Sequence, residues 1–122
     1  MSTAPHLALG RAAEAAAARH LEILGYRLVT TNFRARCGEL DLVARDGDVL
    51  AIVEVRYRAS DRYGGAAASV THAKRTRMVR ASRVFLAANP PLARLPARFD
   101  VVLVSGPPDG LRCELVRGAF SL

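Results

Sequence analysis

Between Gly38 and Arg56, polar and apolar positions alternate with period two on both sides of Asp46-Gly47. That is the period of a strand with one face buried, and an Asp-Gly step between two such runs favours a two-residue primed turn. The segment predicts an antiparallel hairpin. With Asp46 and Gly47 as the turn, Arg45 pairs with Asp48, Asp41 with Ile52 and Glu39 with Glu54, all on one face.

The remaining pattern supplies the surrounding elements. Leu7 to Leu24 reads as a helix ended by Gly25, followed by a short strand from Tyr26 to about Phe33. A small-residue loop from Ala59 to Ala68, with Gly64-Gly65, is expected to be mobile. Ser69 or Thr71 can cap a second helix that runs to about Ala88 and stops before Asn89-Pro90-Pro91. Arg98 to Ser105 reads as a strand, and Leu111 to Val116 as a last strand after the turn Pro107-Pro108-Asp109-Gly110. The order αβββαββ implies an α/β or α+β sandwich, a mixed sheet with helices against it. At 122 residues, the chain should form one domain spanning 1–122.

Carboxylates opposite one another on a sheet repel, and Glu54 interrupts the apolar run from Val49 to Val55. A cation should therefore sit among Glu39, Asp41 and Glu54. One candidate is Mg²⁺ or Mn²⁺, which take oxygen ligands and keep waters that substrate phosphates displace. The other is an ion pair from Arg56 or Arg58 to a partly buried Glu54.

Counting about 100° per residue around the first helix places Glu14 in an arc with Leu7, Gly10, Ala18 and Leu21, facing the sheet. The alternative is a glutamate near the helix start, favoured by the dipole, with its head in water. On the second helix Lys74 groups with Met78, Ala81, Phe85 and Ala88, so the chain's only lysine points inward. Arg75, Arg77, Arg80 and Arg83 would form an outer basic face, either a solubility feature or a phosphate contact.

The formal charge of +7 and pI of about 10.7 favour a polyanionic partner such as nucleic acid. Cys37 and Cys113 form no CxxC pair, and His6, His20 and His72 form no ligand pattern with them, which argues against zinc and a disulfide. No signal peptide or membrane span fits the start of the chain, so no membrane partner and a cytoplasmic location are expected.

Several segments together resemble the YraN-like family of uncharacterised bacterial proteins. They are Gly10-Arg11-Ala12-Ala13-Glu14, Leu24-Gly25-Tyr26, Asn32-Phe33-Arg34, Gly38-Glu39-Leu40-Asp41-Leu42-Val43, Val53-Glu54-Val55, Tyr63-Gly64, Val70 with Lys74, and Arg98-Phe99-Asp100-Val101-Val102. The resemblance covers nearly the whole chain. It implies a restriction-endonuclease-like fold similar to archaeal Holliday-junction resolvases, and a Mg²⁺- or Mn²⁺-dependent attack of water on a DNA phosphodiester. It also implies that Asp41 and Glu54 hold the metal, with Glu14 assisting; Glu39 matches the family's Gly-Glu-hydrophobic-Asp signature, and its place among the hairpin carboxylates makes it a candidate further ligand. Resolvase-like cutting of paired strands would want a homodimer.

One departure matters. The lysine of the superfamily's Glu-x-Lys motif is replaced by Arg56, which stays protonated and cannot act as a base, though it can stabilise charge developing at phosphorus. Lys74 could supply the missing ammonium. The competing readings are a non-catalytic nucleic-acid-binding module and a protein-interaction adaptor whose basic face meets an acidic partner.

Overall fold

The computed structural model describes residues 5–58 and 70–121, with side chains from residue 9 onward. In chain order the elements are α1 (Pro5–Ile23), β1 (Arg27–Ala35), β2 (Gly38–Asp46), β3 (Val49–Tyr57), α2 (His72–Ala88), a 3-10 turn (Leu92–Arg94), β4 (Ala97–Ser105) and β5 (Arg112–Phe120). This is the expected α+β order, αβββαββ. Gly25, at φ +95, ends α1, and the Thr71 hydroxyl caps α2 by accepting the N–H of Lys74 at 3.2 Å. The expected loop from Ala59 to Ala68, and Ser69 as a cap, lie outside the described residues.

The strands form one sheet in the order β1-β2-β3-β4-β5. Only β3 and β4 run parallel, the pairing that needs a crossover, and α2 lies in that connection. Alternation along β3 sorts the core into two layers. Leu50 and Ile52 pack with Met78, Ala81 and Phe85 of α2, whereas Ala51 and Val53 pack with Ala13, Ala17 and Leu21 of α1. The sheet is thus covered by one helix on each face.

The hairpin forms with its register two residues away from the expected one. Asp46 pairs with Val49 and Arg45 with Leu50, leaving Gly47 and Asp48 as the turn. Gly47 has φ +61, and Asn32 is the only non-glycine described with positive φ, so the turn follows the type II′ pattern with glycine first. Asp46 is drawn into the ladder because its carboxylate accepts from Arg98 Nη2 at 2.8 Å and lies 3.4 Å from Arg117 Nε. A slip of two keeps every side chain on its face but changes its partner. Ile52 is therefore opposite Val43 rather than Asp41, and the same register no longer sets Glu39 against Glu54; on its other side Glu39 pairs with Arg34 of β1.

The same arginines belong to a buried polar network. Asp100, fully buried, accepts from Arg98 Nε at 2.7 Å, Arg98 Nη2 at 2.9 Å, the Tyr26 hydroxyl at 3.0 Å and the Gly118 N–H at 2.9 Å. With this many donors the hydrogen-bonding needs of the buried carboxylate are met. The network ties β4 to β5 and to the chain entering β1. It also explains why β5 runs to Phe120 instead of ending near Val116: Gly118, at φ +59, accompanies a register shift that carries the pairing on to Phe99 and Phe120. Among the described residues, no helix is long and apolar enough to cross a membrane.

Candidate functional site

The β2–β3 ladder ends at Leu42 and Val53. Beyond it β2 continues against β1 as far as Gly38, while β3 continues against β4 as far as Tyr57. The sheet therefore forks, and groups from both of its faces reach into the fork. A cleft of about 450 Å³ opens there, lined by Glu14 of α1, Glu39 and Asp41 of β2, Glu54 and Arg56 of β3, and Lys74 of α2, among others. The carboxylates expected from the hairpin, the glutamate expected from the first helix and the inward lysine are thus in one place.

Asp41 stands at the crotch of the fork. One step beyond the last ladder pair it comes level with Glu54, and its Oδ2 accepts the Val55 N–H at 2.9 Å, a donor that ladder pairing would otherwise have to satisfy. Glu54 is 2% exposed. Lys74 Nζ lies 3.7 Å from its Oε1 and Arg56 Nη1 lies 3.7 Å from its Oε2. Both separations are too long for hydrogen bonds, and Oε1 has no hydrogen-bond partner among the described residues. Burial first, and the Asp41 carboxylate second, raise the Glu54 carboxyl from 4.5 to about 8, against the pull of Lys74 and Arg56. At neutral pH the metal-free pair holds a proton that an ordinary glutamate would have lost. The Arg56 contact foreseen as an alternative to metal is present, but it does not compensate the burial.

Glu14 is not near the start of α1, which begins at Pro5, so the helix dipole does not account for it. It is half-buried, and burial followed by the charges of Asp41 and Glu39 raises its proton affinity. Asn32 opposes this. With its amide nitrogen turned toward Glu14 it donates to both carboxylate oxygens at 3.0 and 3.2 Å. Asn32 does so from a left-handed backbone, φ +52, which asparagine tolerates better than most residues. The sequence carried a sign of this, since asparagine is depleted in strands yet Asn32 interrupts a run of strand formers.

Glu39, expected as a further metal ligand, is half-exposed on the cleft rim, 3.9 Å from Arg34 Nε. Among the described residues, no three His, Cys, Asp or Glu side chains form a metal-holding group. The arginines of α2 do not share one outer face. Arg75 donates from Nε to the Val70 carbonyl at 2.9 Å and its guanidinium lies 4.7 Å from the centre of the Phe120 ring. Arg80 and Arg83 are exposed and do not line the cleft, and Arg77 stands beside it in a neighbouring groove. Lys74 points inward as expected, but Ala88, grouped with it, is exposed at the helix end.

A stability measurement separates a protonated, repelled Glu54 from an ion-paired one. The unfolded chain loses this proton near 4.5 and the folded protein holds it to about 8, so folding takes up a proton between those values and stability falls as pH rises through them. At about 1.4 kcal/mol per pKa unit, the full penalty above that window is at most on the order of 5 kcal/mol. In chelator, Glu54→Gln should match the wild type below pH 4.5 and exceed it by roughly 2–4 kcal/mol above pH 8 in urea unfolding. A variant less stable than wild type in alkaline buffer would establish the ion pair instead.

The chain aligns with proteins of one bacterial family along almost its whole length. It is 56% identical over 113 residues to a UPF0102 protein of Xanthomonas campestris pv. campestris, covering 93% of this chain and 91% of the relative. With a UPF0102 protein of Symbiobacterium thermophilum the identity is 47% over 116 residues, covering 92% and 95%, and with one of Stutzerimonas stutzeri it is 44% over 111 residues, covering 91% and 92%. The family model described as "Uncharacterised protein family UPF0102" matches residues 13–104, a span that contains Glu14, Asp41, Glu54 and Lys74. These matches agree with the resemblance read from the motifs: the chain belongs to the uncharacterised bacterial family UPF0102.

Proposed function

We propose that this protein binds nucleic acid and hydrolyses DNA phosphodiesters in the manner of restriction-endonuclease-like nucleases, with Mg²⁺ or Mn²⁺ held by Asp41 and Glu54. The observation that carries this reading is the pairing at the fork of half-buried Asp41 with buried Glu54, whose Oε1 lacks a hydrogen-bond partner among the described residues and whose proton affinity is raised by burial and by Asp41. Two oxygen-donor side chains from adjacent strands suit Mg²⁺ or Mn²⁺, which bind through one or two carboxylates and complete their shells with water and substrate phosphate. They do not make the closed four-ligand site of a structural zinc. When bound, the cation would supply positive charge that lowers the proton affinity of water and offsets the negative charge of the phosphate.

The chain's own residues supply the rest. Hydrolysis forms a bond from a water oxygen to phosphorus and breaks one phosphorus–oxygen ester bond. The water's proton goes to a base, and the leaving oxygen takes a proton from solvent. Glu14, raised in proton affinity and oriented by Asn32, is the carboxylate placed to accept that proton. Lys74 and Arg56 flank Glu54 and stabilise the negative charge that develops on the phosphoryl oxygens.

Nicking of supercoiled plasmid with Mn²⁺ tests the reading. Wild type should cut, and Asp41→Asn and Glu54→Gln should each abolish cutting. The second reading, a module that binds without cutting, is favoured by the permanently charged Arg56 at the lysine position. Binding of Mn²⁺ and DNA without cleavage of plasmid or branched DNA would select it, and absence of Mn²⁺ binding would overturn the site itself.

A further inference from the structure

Next to the acidic cleft runs a second concave surface, a groove of about 370 Å³ between the β1–β2 turn and α2, lined by Arg34, Arg36, Gly38, Glu39, Lys74 and Arg77 among others. We propose that this groove carries the phosphodiester strand of a nucleic acid into the cleft, with Arg36 and Arg77 as its phosphate-binding residues. The proposal rests on the nucleic-acid reading above and gives it a path across the molecule.

The groove is built by a close approach of two backbones. A Cβ on Gly38 would lie 2.8 Å from the Arg77 carbonyl oxygen and 3.0 Å from the Arg77 Cβ, so the start of β2 rests directly on α2 with room only for glycine. This brings Arg34 and Arg36 to one wall and Lys74 and Arg77 to the other. The only acid in the lining is Glu39, which already faces Arg34 at 3.9 Å. Arg36 and Arg77 are exposed and have no carboxylate partner among the described residues. The outer side of α2 offers no such concavity: Arg75 is held at Val70 and over Phe120, and neither Arg80 nor Arg83 lines this groove or the cleft.

The shape of the charge selects the ligand. Arg34, Glu39 and Lys74 line both the groove and the cleft, so the two are continuous. A single free phosphate would occupy one point of this path. A chain bearing one negative charge per nucleotide would engage the groove and still present a phosphodiester at Asp41 and Glu54. Aromatic residues make up 6% of the chain and none lines the groove, so contact should be to the backbone with little preference for base.

Fluorescence anisotropy with labelled single-stranded and duplex DNA, in chelator and over a range of salt, tests this. Relative to wild type, Arg36→Ala with Arg77→Ala should weaken binding about tenfold or more and reduce the salt slope by about two, one for each lost phosphate contact. Arg80→Ala with Arg83→Ala should stay within about twofold of wild type. Arg36→Lys with Arg77→Lys should restore most of the affinity, which a loss of folding would not permit. Equal losses from the two alanine pairs, or a larger loss from Arg80 and Arg83, would overturn the assignment, as would displacement of DNA by polyglutamate as effectively as by unlabelled DNA. Calorimetry with Mn²⁺ on the Arg36 and Arg77 variant separates this proposal from the metal site. Unchanged Mn²⁺ binding beside lost DNA binding supports the groove. Wild-type protein that binds Mn²⁺ but not DNA removes the groove and leaves the metal pair standing.

Discussion

Binding of Mn²⁺ at Asp41 and Glu54 should tighten about tenfold for each pH unit on approach to pH 8 and level off above it, because the ion must displace the proton that Glu54 holds to about that pH. At pH 7, titrations in buffers of different ionisation enthalpy should report about one proton released per ion bound. Asp41→Asn and Glu54→Gln should both abolish binding. A Glu54 held ionised by Lys74 and Arg56 would instead bind with little pH dependence over the same range, since no proton would have to leave. Flat pH dependence in the wild type would therefore sink the protonated Glu54, and binding that survives Glu54→Gln would sink the metal assignment.

The dependence on pH follows from a feature that the sequence showed only in outline. Alternation around Asp46-Gly47 was sufficient to place Asp41 and Glu54 in one hairpin, because a period of two belongs to the strand itself. It could not fix the register. Which residues turn depends on Asp46 meeting Arg98 and Arg117, side chains 52 and 71 residues away in the chain. A local pattern has no access to such contacts. The fork was equally hidden, since it depends on where the β1–β2 and β3–β4 pairings outlast the β2–β3 pairing.

Helical spacing carried more. It was enough to turn Lys74 inward, and the structure puts its ammonium 3.7 Å from Glu54. The single outer basic face read for Arg75, Arg77, Arg80 and Arg83 is not what forms: at about 100° per residue Arg75 and Arg77 stand on opposite sides of α2, and the structure gives the four different surroundings according to what packs beside the helix. Arg75 meets Phe120 near the end of β5, whereas Arg77 meets the β1–β2 turn. Of the motif segments, Leu24-Gly25-Tyr26 and Arg98-Phe99-Asp100 supply the network around Asp100 and not the cleft. Residues that mark a family can thus serve its fold as much as its chemistry.

Replacing Arg56 by lysine should raise Mn²⁺-dependent nicking of plasmid or branched DNA by about a hundredfold, the lower end of what a well-placed proton-transfer group contributes. Arg56 lines the cleft with Nη1 3.7 Å from Glu54 Oε2, and its side chain is 43% exposed. Its guanidinium is broad and permanently charged, so it can offset charge on a phosphoryl oxygen but cannot exchange a proton with water. An ammonium at the same place is compact, and beside buried Glu54 and half-buried Asp41 its proton affinity can be tuned by the groups around it. The structure adds a condition to this expectation, because Lys74 already brings an ammonium to the opposite oxygen of Glu54. If Lys74 performs the lysine's task in the wild type, Lys74→Gln should abolish cutting in the Arg56 background and be largely tolerated once Arg56→Lys is present. Non-additivity between the two sites, measured as a double-mutant cycle on the cleavage rate, would show that one task passes between them. Glu54→Gln should silence all of these variants alike. Cleavage lowered by Arg56→Lys and insensitive to Lys74→Gln would show that the guanidinium is itself the required cation, held there for charge and not for proton transfer.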